Sequence, residues 1–163
     1  MGAVLLIAAL CLAAAPRLRS KPLRADRILV EKSHRRLTLL WKGKPVKSYD
    51  VALGGAPAGR KQCQGDNRTP EGLYRIDARN AASRYHRALH VSYPNAQDLA
   101  NARRQRCAPG GDIMIHGLLN GYGWLGASHR LHDWTLGCIA VTDAEIEEIW
   151  GAAPNGTVVE IRP

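Results

Sequence analysis

Short runs in which apolar and polar residues alternate restrict the fold of this chain more than any other feature. Eight such runs, many of them rich in β-branched residues, are separated by Gly, Pro and Asn residues that favour turns. They cover residues 27–31, 36–41, 46–53, 72–76, 88–92, 112–116, 138–141 and 157–161. The pattern predicts a mainly β fold, a barrel or a sandwich, with a hairpin turn at residues 42–45.

Two segments break the strand pattern and predict short helices. The first covers residues 96–106, with Asn95 as its N-cap. The second begins at Thr142, whose hydroxyl can accept a hydrogen bond while Glu145 bonds back to the Thr142 backbone. This second helix is expected to end near Trp150. No repeat, low-complexity tract or internal boundary interrupts the chain, which predicts a single domain.

Length and composition limit the possible classes of protein. The 163 residues suit one domain, and 45% hydrophobic with 23% charged residues exclude a disordered polyelectrolyte and a multi-span membrane protein. The formal net charge of +9 suggests an anionic partner: nucleic acid, a membrane surface or a cell-wall polymer. Aromatic residues make up only 6% and the basic residues are scattered, so we expect no nucleic-acid partner.

The first 15 residues form one uncharged apolar run that ends in small residues, as the hydrophobic part of a secretory signal does. The run is too short for a comfortable membrane span, and a terminal helix packed on the domain is the alternative. Positive charges follow the run instead of preceding it, so we expect the true start to lie upstream of Met1. Residues 16–25 then form a basic linker, and residues 26–163 form the domain.

Three cysteines remain after residues 1–15: Cys63, Cys107 and Cys138. An odd number in an oxidising compartment implies at least one free or intermolecular thiol. Cys63 and Cys107 lie in loop-like surroundings and could form a disulfide, which would leave Cys138 free. Three free thiols are the alternative.

Residues 113–141 hold a histidine and a cysteine that could form a nucleophilic pair. His116 closes an apolar run, and Gly117 after it leaves room for a close approach to the imidazole. Cys138 begins another run after Gly137, and the amides of Gly137 and Cys138 could face an oxyanion. A nearby imidazole would take the thiol proton and release the nucleophilic thiolate. Cys138 could instead be a small, buried and inert residue.

His129 and His132 lie between these two positions and could orient His116, contact a substrate, or be solvated loop residues. Their spacing matches no zinc motif, so we expect no metal site. Four glycines in this segment are consistent with a mobile lid or with a plain flexible loop: Gly117, Gly121, Gly123 and Gly126.

The order of these residues resembles the L,D-transpeptidases with a YkuD-type catalytic domain. The signature of that family is His-Gly, a variable insert, and then Ser or Thr, any residue, Gly, Cys and a hydrophobic residue. This chain supplies His116-Gly117 and Thr135-Leu136-Gly137-Cys138-Ile139. A subgroup of YafK-type murein enzymes is similar also at residues 65–66, 69–72, 92–95 and 133–134. The resemblance extends from about Asp26 to Arg162.

The resemblance implies a β-rich domain that transfers acyl groups on peptidoglycan stem peptides without a cofactor. Cys138 would be the nucleophile and His116 the general base and then the acid. The thiolate would attack the carbonyl of the diamino acid, the third stem residue, expel the terminal D-alanine and leave a thioester. An amine of a neighbouring stem or of a wall-anchored lipoprotein would resolve the thioester, whereas water as acceptor would give a carboxypeptidase or amidase.

One position departs from the family. Many members carry Arg or Asn two residues after the cysteine, where this chain has Ala140. A cation for a substrate carboxylate must then come from elsewhere, although each arginine considered could also be a solvated surface charge. The candidates for substrate contacts are Arg68, Arg79, Arg84, Thr135 and Tyr93.

A function from another class also agrees with the sequence. A non-catalytic basic module could bind the cell wall through its net charge of +9, with Cys138 buried and inert. For the leading function, acyl transfer on peptidoglycan, we expect an exported monomer in the periplasm or elsewhere in the cell envelope.

Overall fold

The strands of the computed structural model, which describes residues 22–163, form one curled eight-stranded sheet. They are β1 (Arg27–Glu31), β2 (Arg36–Trp41), β3 (Lys44–Asp50), β4 (Gly72–Ser83), β5 (His86–Val91), β6 (Met114–His116), β7 (Ile139–Ala140) and β8 (Val158–Arg162). Their order in the sheet is β3-β2-β1-β8-β4-β5-β6-β7. The mainly β prediction is confirmed. The predicted signal segment and residues 16–21 of the predicted linker lie outside the described residues.

Alternating side chains explain why the central strands form a buried layer. Successive side chains of a strand point to opposite faces, so every second residue reaches the core. The apolar residues in these inward positions are Ile28, Val30, Leu37, Leu39, Val159 and Ile161, and each is at most 2% exposed. The described end of the predicted linker packs there too, because Ala25 is buried and its amide donates to Ala152 O at 2.9 Å.

The sheet curls until its two ends meet beside β7. Ala52, just after β3, pairs with Ala140 of β7, and Gly54 pairs with Thr135. At the other end of β3, Lys42 and Gly43 adopt φ values of +52° and +76°. These values suit a two-residue hairpin turn, as predicted for residues 42–45. The closure places the segment around Thr135 and Cys138 against the loop that follows β3.

Two α-helices, α1 (Ala96–Arg104) and α2 (Asp143–Ala152), confirm the helix predictions. Both begin with the reciprocal side-chain to backbone bonds of a capping box: Asn95 with Asp98, and Thr142 with Glu145. Helix α2 buries Ile146 and Ile149 in the core. No helix within residues 22–163 combines the length and the apolar character that crossing a membrane requires.

A 3₁₀ helix at Gly123–Leu131, with a break at Gly126, lies where the sequence predicted only a lid or a flexible loop. Some strand limits also differ from the prediction. β3 ends at Asp50, three residues before the predicted limit, and β4 continues to Ser83. The second half of β4 leaves β8 and pairs with β5 through two irregular steps, which its polar sequence did not indicate.

Candidate functional site

Cys138 directly precedes β7, the strand beside β6, and β6 ends with His116. β6 and β7 are parallel, and their register pairs Ile115 with Ile139 and His116 with Ala140. Continuing that register sets Cys138 beside Met114. Residues two apart on a strand share a face, so this extended register would make Cys138 and His116 diagonal neighbours. Strand spacing and rise would then separate their Cα atoms by about 8 Å.

The Cys138 side chain is the free thiol among the described residues. Its Sγ donates to Asp112 O at 3.5 Å, and no hydrogen bond joins it to His116 in this part of the chain. Burial raises the pKa of the thiol, whereas a hydrogen bond from the Met114 backbone lowers that pKa. The net direction is upward, so the isolated thiol is a poor source of thiolate and needs a base.

The imidazole of His116 is held in one tautomer. Its Nδ1 lies 2.7 Å from Gly117 O, and because a carbonyl can only accept, Nδ1 must donate. Nε2 therefore carries the lone pair. It is not among the fully buried side-chain atoms that lack a hydrogen-bond partner in the described residues. The His116 residue is 4% exposed, and this burial lowers the pKa of its imidazole. The result is a neutral imidazole with Nε2 available as a base.

The turn before Cys138 is held by the Thr135 hydroxyl. Oγ1 accepts from Gly137 N at 3.1 Å and donates to Cys138 O at 2.7 Å. Gly137 has φ +136°, and a Cβ there would lie 2.7 Å from Arg68 O. Thr135 is buried and acts on the turn, so it is not placed to contact a substrate.

The two predicted oxyanion donors differ in the structure. The Gly137 amide is bound to Thr135 Oγ1, which removes it from the free donors that the sequence suggested. The Cys138 amide has no hydrogen-bond partner between residues 22 and 163. Sequence alone did not show that the threonine hydroxyl folds back over the turn, and the oxyanion role of the two amides stays a prediction.

The other candidate substrate contacts are dispersed. Tyr93 is buried in the core and its hydroxyl donates to Pro109 O at 2.9 Å, which takes it out of the cleft. Arg79 stacks on Trp150, away from the thiol. Arg68 is half-buried, with Nη1 at 3.4 Å from Arg60 O. Arg84 is exposed at the tip between β4 and β5, with no ion pair among the described residues.

Cys63 and Cys107 form a disulfide with a Cα to Cα distance of 5.7 Å. The bridge joins residues 54–69 to residues 105–113, which we call the bridged loops. Gln64 N also donates to Ala108 O at 2.7 Å. The bridged loops reach the nucleophile on one side, because Asp112 O accepts from Cys138 Sγ and Arg68 O touches Gly137.

Asp66 organises the first of the bridged loops, a role that the sequence did not reveal. Its carboxylate accepts from the amides of Gln62, Cys63 and Arg68 and from Lys61 Nζ. Burial opposes the charge, but the Lys61 ammonium and the three amides hold the pKa of Asp66 below its usual range. A small acidic residue after Gly65 was the available signal, since Asp often bonds to amides in turns.

Aromatic side chains surround the imidazole on the other side. The Tyr85 ring centroid is 4.6 Å from that of His116, and the Trp134 ring centroid is 5.9 Å from it. His129 is 8% exposed, accepts from Trp134 Nε1 at 3.5 Å through Nδ1, and has no partner for Nε2 in the described region. His132 is exposed. Tyr85 has no sequence signal, because its contact with His116 depends on the fold.

The described residues offer no ligand set for a metal ion. Within residues 22–163, no group of three or more His, Cys, Asp or Glu side chains is arranged to hold a metal ion. The arrangement of a free thiol, a neutral imidazole and an unpaired amide instead suits nucleophilic acyl transfer.

Comparison with known proteins gives the family. Residues 25–161 match the L,D-transpeptidase catalytic domain, YkuD. YafK of Escherichia coli (strain K12), provisionally named an L,D-transpeptidase, is 31% identical over 107 residues, which are 64% of this chain and 36% of YafK. The helical cell shape determining protein Pgp2 of Campylobacter jejuni is 25% identical, with a TM-score of 0.64 over 83% of this chain and 46% of Pgp2.

An L,D-transpeptidase from Xylanimonas cellulosilytica shares the fold at 16% identity, with a TM-score of 0.54 over 91% of this chain and 65% of that one. The chain spans less than half the length of YafK and of Pgp2. The match to the family covers almost all described residues, including both halves of the motif around His116 and Cys138. The chain therefore belongs to the L,D-transpeptidase family, of which it contains the YkuD catalytic domain.

Proposed function

We propose that this chain is a peptidoglycan L,D-transpeptidase in which Cys138 is the nucleophile and His116 the general base. The observation that supports this most is the position of Cys138 directly before β7, beside the strand that ends with His116, together with the hydrogen bond from His116 Nδ1 to Gly117 O. That bond leaves Nε2 to accept the thiol proton. Burial raises the pKa of the thiol and lowers the pKa of the imidazole, so the resting pair is neutral. Proton transfer then accompanies attack.

The reaction proceeds in two acyl transfers. His116 Nε2 takes the Sγ proton as sulfur bonds to the carbonyl carbon of the diamino acid. The C–N bond to D-alanine breaks, and the imidazolium returns the proton to the leaving amine, which leaves a thioester. An incoming amine attacks the thioester carbon and gives a proton to Nε2. The C–S bond breaks, and that proton restores the thiol.

The Cys138 amide is our candidate donor to the oxyanion formed in each step. It is unpaired in the described chain, whereas the Gly137 amide is held by Thr135. A backbone amide fixed beside the nucleophile needs no reorganisation when negative charge develops on the carbonyl oxygen. The tight turn, with Gly137 against Arg68 O, keeps that amide in place.

Arg84 is our candidate for the cation that holds a substrate carboxylate. The family position two residues after the nucleophile is Ala140 here and offers no charge. Arg84 adjoins Tyr85, whose ring covers His116, and its guanidinium has no ion-pair partner in the described residues. The alternative candidate, Arg68, already donates to Arg60 O. A free guanidinium on the exposed hairpin tip next to Tyr85 suits a carboxylate.

The proposed substrates are peptidoglycan stem peptides, with an amine of a second stem or of a wall-anchored lipoprotein as acceptor. Such substrates place the enzyme in the periplasm or cell envelope. The Cys63–Cys107 disulfide supports an oxidising compartment, and the net charge of +9 favours an anionic polymer. Pgp2, a similar structure, determines helical cell shape, and we include wall remodelling in this proposal.

Mass spectrometry of muropeptides tests the function. The protein is incubated with tetrapeptide stems, and we expect loss of D-alanine together with a product whose mass shows the acceptor. Cys138→Ala and His116→Ala should each lower the rate at least about 1000-fold, because nucleophile and base are lost. His34→Ala, at an exposed histidine outside the site, is the matched control and should retain activity.

The products also separate the related functions. A stem that has lost D-alanine without gaining an amine would mean hydrolysis by a carboxypeptidase. Wild-type protein that behaves like Cys138→Ala with every stem, but still binds sacculi, would refute the enzyme and favour the basic wall-binding module.

A further inference from the structure

The hairpin tip between β4 and β5 lies directly over the imidazole of the candidate base. The Tyr85 ring is tilted 44° to His116, with the centroids 4.6 Å apart. The Trp134 ring is nearly perpendicular to the same imidazole, with the centroids 5.9 Å apart and an angle of 69° between the planes. Tyr85 and Trp134 are themselves 6.2 Å apart. The imidazole is therefore enclosed by one ring from the hairpin and another from the segment before Cys138.

Asn120 fixes the hairpin tip with three hydrogen bonds. Its backbone amide donates to Arg84 O at 2.9 Å, and Nδ2 donates to Ser83 O at 3.1 Å. Its Oδ1 accepts from His86 N at 3.0 Å. His86 has φ +62°, a conformation that few residues other than glycine adopt without support. Asn120 thus ties the residues on both sides of Tyr85 to the chain that follows His116.

We propose that Tyr85 is a positioning residue for His116 and that Asn120 holds Tyr85 in place. This inference rests on the proposed function. The bond from Nδ1 to Gly117 O sets the tautomer, but a ring with one hydrogen bond can still swing about it. The neighbouring rings of Tyr85 and Trp134 limit that freedom. A general base must hold its lone pair within hydrogen-bond reach of the proton, and small misplacements reduce rates strongly.

The Tyr85 ring also excludes water from the imidazole, and this makes its role measurable. Burial is the main cause of the lowered pKa of His116. Removing the ring should let water reach the imidazole and raise that pKa. The other ionisable groups near His116 stay unchanged in such a variant. They are Cys138 directly before β7, His129 behind Trp134, Asp143 and His86 beside Gly117, and Arg84 next to Tyr85.

The experiment follows the His116 imidazole by NMR during a pH titration and measures acylation of Cys138 by a carbapenem in the same variants. In Tyr85→Ala we expect the pKa of His116 to rise towards that of a free histidine. The acidic limb of the acylation profile should move to higher pH with it, and the limiting acylation rate should fall about tenfold or more. The carbapenem concentration for half-saturation should change little.

Three further variants make the result specific. Tyr85→Phe keeps the ring and should behave as wild type, whereas Asn120→Ala should shift the pKa of His116 in the same direction as Tyr85→Ala. Asn120→Ala also replaces Tyr85→Ala if that variant does not fold. Tyr122→Ala is the matched control, because Tyr122 is a half-exposed tyrosine of the same site region. It should leave the His116 titration unchanged.

The two arms distinguish the possible failures. If folded Tyr85→Ala, or Asn120→Ala in its place, titrates at His116 as wild type does, the inference is wrong. A change confined to the half-saturation concentration would make Tyr85 a substrate contact and would also overturn it. If wild-type protein is not acylated at all, the proposed function fails, and the NMR titration alone still decides whether Tyr85 controls His116.

Discussion

The two sides of the candidate site are built differently. On the nucleophile side, the bridged loops are joined by the Cys63–Cys107 disulfide and organised by Asp66. On the histidine side, residues 117–137, which we call the insert, have no disulfide to the rest of the described chain. The insert holds five of the nine exposed large apolar side chains among residues 22–163. Its surface is therefore more apolar than that of the bridged loops.

This difference suggests a division of labour. The nucleophile must keep a fixed distance to the carbonyl that it attacks, and the bridged loops provide a rigid support through Asp112 and Arg68. The insert presents Trp124 at 78% and Leu136 at 78% exposure. Large apolar side chains exposed together are typical of surfaces that bind another molecule. Three changes test whether the two sides are separate in this way.

Removing the disulfide should have the largest effect. Cys63 and Cys107 are 44 residues apart, and opening a loop of that length in the double variant Cys63→Ala/Cys107→Ala should lower the free energy of unfolding by about 2–4 kcal/mol. Urea unfolding measures this change in the free energy of unfolding. Cys138→Ala keeps the bridge and is the control. A double variant as stable as wild type would show that hydrogen bonds alone hold the bridged loops.

Adding a methyl group at Gly137 should disturb the nucleophile with less effect on stability. A Cβ there would lie 2.7 Å from Arg68 O, and φ of +136° is unfavourable for alanine. We expect Gly137→Ala to slow acylation of Cys138 by a carbapenem about 100-fold, equivalent to about 2.7 kcal/mol. Gly111→Ala, where nothing lies within 4 Å, is the control. Equal rates in both variants would contradict a rigid support.

The smallest of the three effects should be a loss of stability at acid pH, caused by protonation of His129 in the insert. Burial and the nearby Arg130 lower the pKa of His129 to about 4, so the unfolded chain binds a proton on His129 near pH 6.5 and the folded chain only near pH 4. Stability is therefore lost as pH falls through this window. Between pH 7 and 4.5, the free energy of unfolding of His129→Gln should fall by about 1–2 kcal/mol less than that of wild type.

Urea unfolding of both proteins at several pH values checks this third prediction. His116, whose pKa is also lowered, titrates in both proteins, so the difference between them isolates His129. Parallel curves of stability against pH would mean that His129 is solvated in the folded protein.

The sequence predicted the parts of the fold that depend on local pattern. The inward residues of β1 and β2 alternate because only one face is buried, and the capping residues Asn95 and Thr142 act within one helical turn. The 3₁₀ helix of the insert was missed because its glycines resemble those of a loop. The paired half of β4 beyond Ile76 is polar, and only its partner β5 makes it a strand.

The candidate site likewise contains residues that the sequence could identify and residues that only the fold reveals. The motif around Cys138 and His116 is contiguous enough to be found by sequence, and the roles of both residues stay predictions. Tyr93 matched a family motif, yet its side chain points into the core. Tyr85 and Asn120 could not be predicted, because their contacts join segments more than 30 residues apart that meet only in the folded chain.

The position of β8 has a consequence for how the chain folds. β8 lies between β1 and β4, parallel to the first and antiparallel to the second. During synthesis β1, β2 and β4 emerge long before β8, so the edges of β1 and β4 stay unpaired until residues 158–162 are available. Contacts so distant in sequence slow folding, and open strand edges promote aggregation. Assembly of the central sheet must therefore wait for residues 158–162, and a chaperone that shields the open edges of β1 and β4 until then would be an advantage.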